Sequence, residues 1–292
     1  MQQNAWQFSD DRGQLSTADR PPSKVIAYIQ AGATLWDHRI LPGAVFGSSH
    51  DGAIPDPAKA GTLPLDRTGY LGAGGQLDLE ALLRSGPELV VAVSYGGGQV
   101  YGLDPETAKH LEEHVPVVVI DVGRTRSPGV IAARFEALAV SLGAAEDQEG
   151  AHLLTVAQRT LAAATETEFR PRLLALSPAG PEQVHLARPD AWPQLRELSE
   201  RGVNTVQPPG DAGANWATVG WAGAAELRPD VVLVDVRCNA TSLGELRDDP
   251  AWQAVGGRAE VVTWNPEAPC TARAHARFLT AVAGAIRGAP GR

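Results

Sequence analysis

Two hydrophobic patterns alternate along this chain: short runs that are apolar at every position, and longer segments whose apolar residues recur at helical spacing. A short continuous apolar run suits a strand buried on both faces, as in a parallel sheet. Residues 25–28, 44–46, 88–94 and 115–122 predict four such strands. Residues 31–40, 77–84 and 104–114 predict the helices among them. Asp104 is placed to cap the last of these helices, with Pro105 at its first position. Residues 6–13 read as a strand running into a turn built by Asp10, Asp11 and Gly13. Residues 47–68, rich in Gly, Pro and Asp, read as a long loop, and so do residues 72–75.

The rhythm changes over residues 128–168, where nearly everything favours helix apart from a break at Leu142-Gly143. Residues 145–167 form an unbroken candidate helix. At about 1.5 Å per residue it would reach about 30 Å, enough to bridge two lobes. Alternation then resumes, with strands expected at 172–176, 202–206, 230–236 and 259–264. Helices are expected at 195–201, 222–227, 243–246 and 271–286. Gly86-Pro87-Glu88-Leu89-Val90-Val91 matches Arg228-Pro229-Asp230-Val231-Val232-Leu233, so one helix–turn–strand unit recurs in both halves. The expected fold class is α/β, with two lobes, each holding a mostly parallel sheet, joined by a single long rigid helix. The expected boundaries are an N-terminal lobe over 1–127, a helical linker over 128–170 and a C-terminal lobe over 171–292.

Composition narrows the function. The 292 residues are 43% apolar, enough for two real cores. A net charge of −9 argues against nucleic acid or an anionic membrane surface as partner. No apolar run approaches the about 20 residues of a membrane span. The N-terminal stretch lacks the charged and apolar regions of an export signal. Either the protein is cytoplasmic, or the chain starts after a removed signal with Met1 added. Two cysteines, Cys238 and Cys270, are too few for a disulfide framework. Both follow predicted strands of the second half; they either pair in an exported chain or act as inert small side chains. The seven histidines read as scattered, without a metal-binding pair, so neither a protein-held metal nor a cofactor is expected. No nucleophile elbow, zinc-protease, P-loop or dinucleotide fingerprint is present, so no enzyme is expected. Cys238 with His275 is the one nucleophile pairing left open.

Four stretches, taken in order, resemble a known family. They are WQFSDDRG with the following Arg20-Pro21; LDLEALLRSGPELVVAVSY; the long helix; and LRPDVVLVDVR with Pro250-Ala251-Trp252 and residues 261–264. Together they cover nearly the whole chain and are similar to the helical-backbone, type III solute-binding proteins of ABC importers for ferric siderophores, haem and cobalamin. The resemblance implies a stiff helical hinge and a ligand held between the lobes. A ligand at the ends of parallel strands is also the general rule for α/β sheets. The expected function is capture of a ferric siderophore, of hydroxamate type, for an ABC importer permease. An exported chain of this kind would be an extracytoplasmic, membrane-anchored lipoprotein acting as a monomer. The alternatives are haem or cobalamin as ligand, or a cytoplasmic small-molecule binding protein uncoupled from any importer.

Residues just past the buried strands are the candidate ligand contacts. Tyr95 offers a ring face and a hydroxyl. The glycines 96–98 behind it are either a flexible turn or a place for close backbone approach. Trp36 on the first helix is a ligand wall or a core residue. Arg124 faces the ligand or caps the helical region. Trp216 and Trp221 flank a loop in the second half. Arg237 and Asn239 follow the strand at 230–236, and a guanidinium fork suits the oxygen atoms of a ferric hydroxamate or catecholate. A salt bridge from Arg237 to Asp235 or Glu267 is its bland alternative. Trp264 ends the next strand. Glu80, in LDLEALL, matches the exposed glutamate that the resemblance assigns to importer docking. The second such glutamate would fall at Ala222, with Glu226 one turn later. That departure and the missing signal count against importer coupling.

Overall fold

The computed structural model of the chain describes residues 5–210 and 213–289; residues 1–4, part of the stretch read for an export signal, lie outside them. Contacts divide the chain into two units, Met1–Gln148 with Glu267–Thr271, and Glu149–Pro266 with Ala272–Arg292.

The first unit holds β1 (Trp6–Ser9), β2 (Leu15–Ala18), β3 (Val25–Tyr28), α1 (Ile29–Asp37), β4 (Ala44–Gly47), α2 (Pro57–Ala60), β5 (Gly69–Ala73), α3 (Leu79–Arg84), β6 (Leu89–Ser94), α4 (Pro105–Glu112), β7 (Val117–Asp121) and α5 (Pro128–Ser141). Its main sheet runs β5-β4-β3-β6-β7, parallel at every step. Parallel sheets are covered on both faces, and every residue of β3, β4 and β6 is buried. The chain moves outward from β3 to β5, then crosses back to β6. The chain therefore leaves β3, straight into α1, and leaves β6 toward opposite sides, which is where sheets of this kind open a ligand crevice. The predicted loops hide two elements. Asp56 caps α2 by accepting from Ala58 N at 2.8 Å, and β5, with glycine at 69 and 72, has no apolar run to announce it.

The DDRG turn between β1 and β2 is structural. Asp10 accepts from the backbone N–H of Arg12, Gln14 and Val119, and Asp11 from that of Asp121. Arg134 of α5 grips Asp11 at 2.7 Å. These bonds dock the β1–β2 hairpin on β7.

The second unit holds α6 (Gln148–Thr165), whose first residue belongs to the first unit, then β8 (Arg172–Pro178), β9 (Gln183–Ala187), α7 (Pro193–Glu200), β10 (Asn204–Thr205), β11 (Trp216–Gly220), α8 (Trp221–Glu226), β12 (Val231–Asp235), α9 (Leu243–Leu246), α10 (Pro250–Gly256), β13 (Glu260–Trp264) and α11 (Ala272–Gly288). β10, β8, β12 and β13 pair in parallel, while β9 and β11 extend the sheet antiparallel from β8. Leu173, Ala175, Val231 and Leu233 enter one core, and Leu174, Leu176, Val232 and Val234 the other. This is the period of two expected of strands buried on both faces. The predicted fold class holds: two α/β units with parallel sheets, with α6 carrying the chain from the first to the second. Among the described residues no helix is long and apolar enough to cross a membrane.

The recurring helix–turn–strand unit has one physical cause in both halves. Gly86 and Arg228 follow α3 and α8 with φ of 64° and 45°, the left-handed turn that ends a helix, and proline comes next. The acid after the proline then pins the chain entering the neighbouring strand. Glu88 accepts from Ser23 N at 2.7 Å and Lys24 N at 3.1 Å, and Asp230 accepts from Arg172 N at 2.9 Å.

The Ser23 backbone and hydroxyl, then Lys24, hold the Glu88 carboxyl down at about 2. Glu88→Gln should therefore lower stability near neutral pH by about 1 kcal/mol or less, since the group is solvent-screened. The folded pKa lies below the unfolded value of about 4.3. The wild type's advantage is thus present above that value and lost as pH falls through the folded one. Urea midpoints of both proteins at about pH 7, 4 and 3 check this; a gap that does not narrow toward acid contradicts it.

Candidate functional site

In the first unit an ammonium is buried at the carboxyl ends of the strands. Lys59, on α2, has a side chain 1% exposed. Its Nζ lies 2.8 Å from Asp51 Oδ1 and 2.7 Å from Glu267 Oε2. Asp51 follows β4 and is held by Ser48, whose N–H and hydroxyl donate to Oδ2 at 2.6 and 2.9 Å. Gly47 makes room for that carboxylate: a Cβ there would stand 2.8 Å from Asp51 Oδ2. Glu267 arrives on the segment Glu267–Thr271, which the contacts assign to this unit. Gln30 Nε2 donates to Ala268 O at 3.0 Å and Cys270 N to Thr34 Oγ1 at 2.9 Å, fastening the segment to α1.

Phenols complete the cluster. Tyr28, the last residue of β3, donates to Glu267 Oε1 at 2.7 Å, and Tyr95, just past β6, donates to the same oxygen at 3.3 Å. Tyr101 packs edge-on against both rings, with centroids at 5.5 and 4.7 Å. Tyr28 and Tyr95 thus stand at the ends of the two strands between which strand order reverses, Tyr95 one residue past β6. Burial alone would push the Lys59 ammonium toward neutrality, but Glu267 and Asp51 outweigh it and hold its pKa above the ordinary value. Burial, and then the Glu267 charge, push the Tyr28 phenol well up, so it stays a donor. The cluster holds one cation against two carboxylates.

Tyr95 alone among the residues predicted for ligand contact joins this cluster. It is half-buried and leads into Gly96, Gly97 and Gly98, whose φ values of 99°, 72° and 72° form a left-handed run that suits glycine. Trp36 is half-buried against the first core. Arg124 is exposed past β7, and Glu80 is exposed on α3, paired with Arg84 at 3.0 Å.

In the second unit Trp216 and Trp264 come together, with ring centroids 6.0 Å apart. Trp192, which the sequence reading passed over, packs on both, at 5.1 and 5.8 Å. Trp264 is buried with its indole N–H unpartnered by protein. Trp221 stands apart: it is buried against Trp252 and donates to Gly180 O at 3.1 Å, so its ring and N–H serve packing. Arg237 is buried too, and its guanidinium folds back on Asp235, with Nη2 2.7 Å from Oδ2. This is the ion pair held as its alternative role. Asn239 is exposed past β12.

Neither cysteine is in a disulfide. Cys270 belongs to the first unit, not the second as its sequence position suggested. Burial raises its thiol to about 12, so it is no thiolate at neutral pH. His275 lies 2.6 Å from Glu197. Burial opposes the Glu197 charge, but His275 and Arg201 outweigh it and hold that carboxyl low.

Sequence reasoning missed Tyr28, Tyr101, Asp51, Lys59 and Glu267. The rule that selected Tyr95, a tyrosine at the end of a buried strand, also selects Tyr28. Nothing local announces Asp51 and Lys59, inside a Gly- and Pro-rich stretch, or Glu267, far along the chain.

Comparison with solved structures finds similar proteins. One is DesE, a ferric-siderophore receptor protein from Streptomyces coelicolor, at 26% identity and a TM-score of 0.87, over 98% of this chain and 99% of that one. Another is the siderophore periplasmic binding protein from the fuscachelin gene cluster of Thermobifida fusca, at 15% identity and 0.63, over 91% and 97%. A third is the periplasmic heme-binding protein RhuT from Roseiflexus sp. RS-1, at 18% identity and 0.62, over 91% and 98%. No protein-family model and no curated sequence matches the chain.

Lys59→Met should destabilise the protein by about 3–5 kcal/mol, because it leaves two buried carboxylates without a cation. Adding Asp51→Asn and Glu267→Gln removes the stranded charges and should recover part of the loss. Urea unfolding of the three proteins checks both, and wild-type stability in Lys59→Met would contradict the charged network.

Proposed function

We propose, on the premise that this chain has the fold of the helical-backbone, type III solute-binding proteins, that it captures a ferric siderophore outside the cytoplasm and delivers it to an ABC importer. The observation that carries the reading is the phenol cluster where β3 and β6 diverge. A siderophore fills the iron's own coordination sphere, so its receptor supplies ring faces and hydrogen-bond donors instead of metal ligands. Tyr95 and Tyr101 are half-buried there, beside the buried Tyr28. The likeness to DesE, at 26% identity over 98% of the chain, supports the same ligand class.

Charge supports a hydroxamate. Beneath Tyr95 two carboxylates face one ammonium, and a negative site disfavours the strongly anionic ferric catecholates relative to neutral or cationic ferric hydroxamates. Tyr95 is the proposed central contact, with Trp36 and Arg124 as further contacts of the first unit and Trp216 and Asn239 as those of the second. Trp221, Trp264 and Arg237 drop out, the two tryptophans being buried in packing and the arginine engaged in the Asp235 pair. Glu80, whose side chain is 87% exposed, is the proposed importer contact, and Glu226, exposed at the end of α8, takes the place of the glutamate missing at 222.

Titration with a ferric hydroxamate, a ferric catecholate, haem and cobalamin tests this, read by tryptophan fluorescence and Tm. The hydroxamate should quench fluorescence and raise Tm. Tyr95→Ala should weaken it about tenfold, the worth of about 1.4 kcal/mol of ring contact. Binding of haem or cobalamin alone would overturn the siderophore assignment, and no response to any of the four would overturn the binding function.

A further inference from the structure

The run His110-Leu111-Glu112-Glu113-His114 places two histidines four residues apart, a pair that the reading of scattered histidines overlooked. Side chains at that spacing share one helix face, and a residue three along lies beside them. α4 and the turn that ends it impose this geometry. Leu111 is buried and anchors the helix, Glu113 N donates to Lys109 O, and His114 N to Leu111 O, both at 3.1 Å. His110, Glu113 and His114 are then left together on the exposed side.

The arrangement suits a metal in three ways. One ligand atom from each of the three residues lies within 4.8 Å of the others. Donors around a tetrahedral ion at about 2.0–2.1 Å stand about 3.3 Å apart, a gap that exposed side chains close by small rotations. Second, His114 Nδ1 is 2.8 Å from His110 O. A carbonyl only accepts, so Nδ1 carries the hydrogen and the neutral ring presents the lone pair of Nε2. Such a bond from the second ring nitrogen is the usual way a ligand histidine is oriented. Third, the cluster closes the carboxyl end of α4, whose dipole favours a cation. Glu112 is engaged elsewhere, with Arg12 at 2.5 Å, and leaves Glu113 as the carboxylate.

We infer that His110, Glu113 and His114 form a surface site for a divalent late first-row metal ion such as zinc or copper. Two imidazoles and a carboxylate are borderline donors that suit these ions and not magnesium, and water completes the coordination. The site is independent of the siderophore reading.

Calorimetry of the untagged full chain with zinc chloride tests it. One zinc should bind per chain, magnesium chloride should give no heat, and copper should bind more tightly than zinc. His110→Ala and His114→Ala should each weaken zinc at least tenfold and Glu113→Gln a few-fold. His152→Ala, at an exposed histidine on α6, should change nothing. All these positions are on the surface, so the variants fold. No zinc uptake, or uptake that survives unchanged in the His110→Ala/His114→Ala double variant, would overturn the site.

Discussion

Lys59 meets Asp51 and Glu267 within 2.8 Å while almost none of its side chain touches water. An ion stripped of water is costly unless its partners and hydrogen bonds replace the hydration. Each partner is therefore held in turn: Asp51 by Ser48, and Glu267 by Tyr28 and Tyr95. The result ties together the ends of β3 and β6, the turn after β4, α2, and a five-residue segment from far along the chain. Without the ammonium, two carboxylates would repel at that point, and the segment carrying Glu267 would lose its charge partner.

The rest of the first unit serves that placement. A five-stranded parallel sheet, fully buried along β3, β4 and β6, puts Tyr28 and Tyr95 side by side where strand order reverses, and the left-handed glycine run after Tyr95 turns the chain back so that Tyr101 packs on both rings. The second unit is built from the same turn of helix, proline and pinning acid, but it gathers tryptophans where the first gathers phenols. Trp192, Trp216 and Trp264 meet within 6.0 Å. Trp192 and Trp264 are buried and Trp216 half-buried, so this cluster is core of the second unit.

How much of this was legible in the sequence follows from where each signal lies. The buried strands announce themselves, because β3, β6, β8 and β12 are apolar on both faces and cannot be mistaken for surface. The recurring Pro-acid start of β6 and β12 marks the two halves. β5, β9 and β11 are edge or extension strands whose residues alternate or include glycine, so no run of apolar residues marks them. Tyr95 was legible because it directly follows a strong strand. The charge cluster was not, since Asp51, Lys59 and Glu267 meet only through tertiary packing, over 200 residues apart in the last case. Arg237 shows a local pairing that its position alone left open. Its position past β12 suggested a free donor, yet Asp235, two residues earlier, turns the guanidinium back on its own strand.

Hydrogen–deuterium exchange of the full chain, with and without a ferric hydroxamate, tests most directly whether this cluster underlies the ligand site. Bound ligand should slow exchange over residues 94–101 and 267–271, which carry Tyr95, Tyr101 and Glu267. Saturating ligand that leaves both segments unchanged while protecting other parts of the chain would contradict the account.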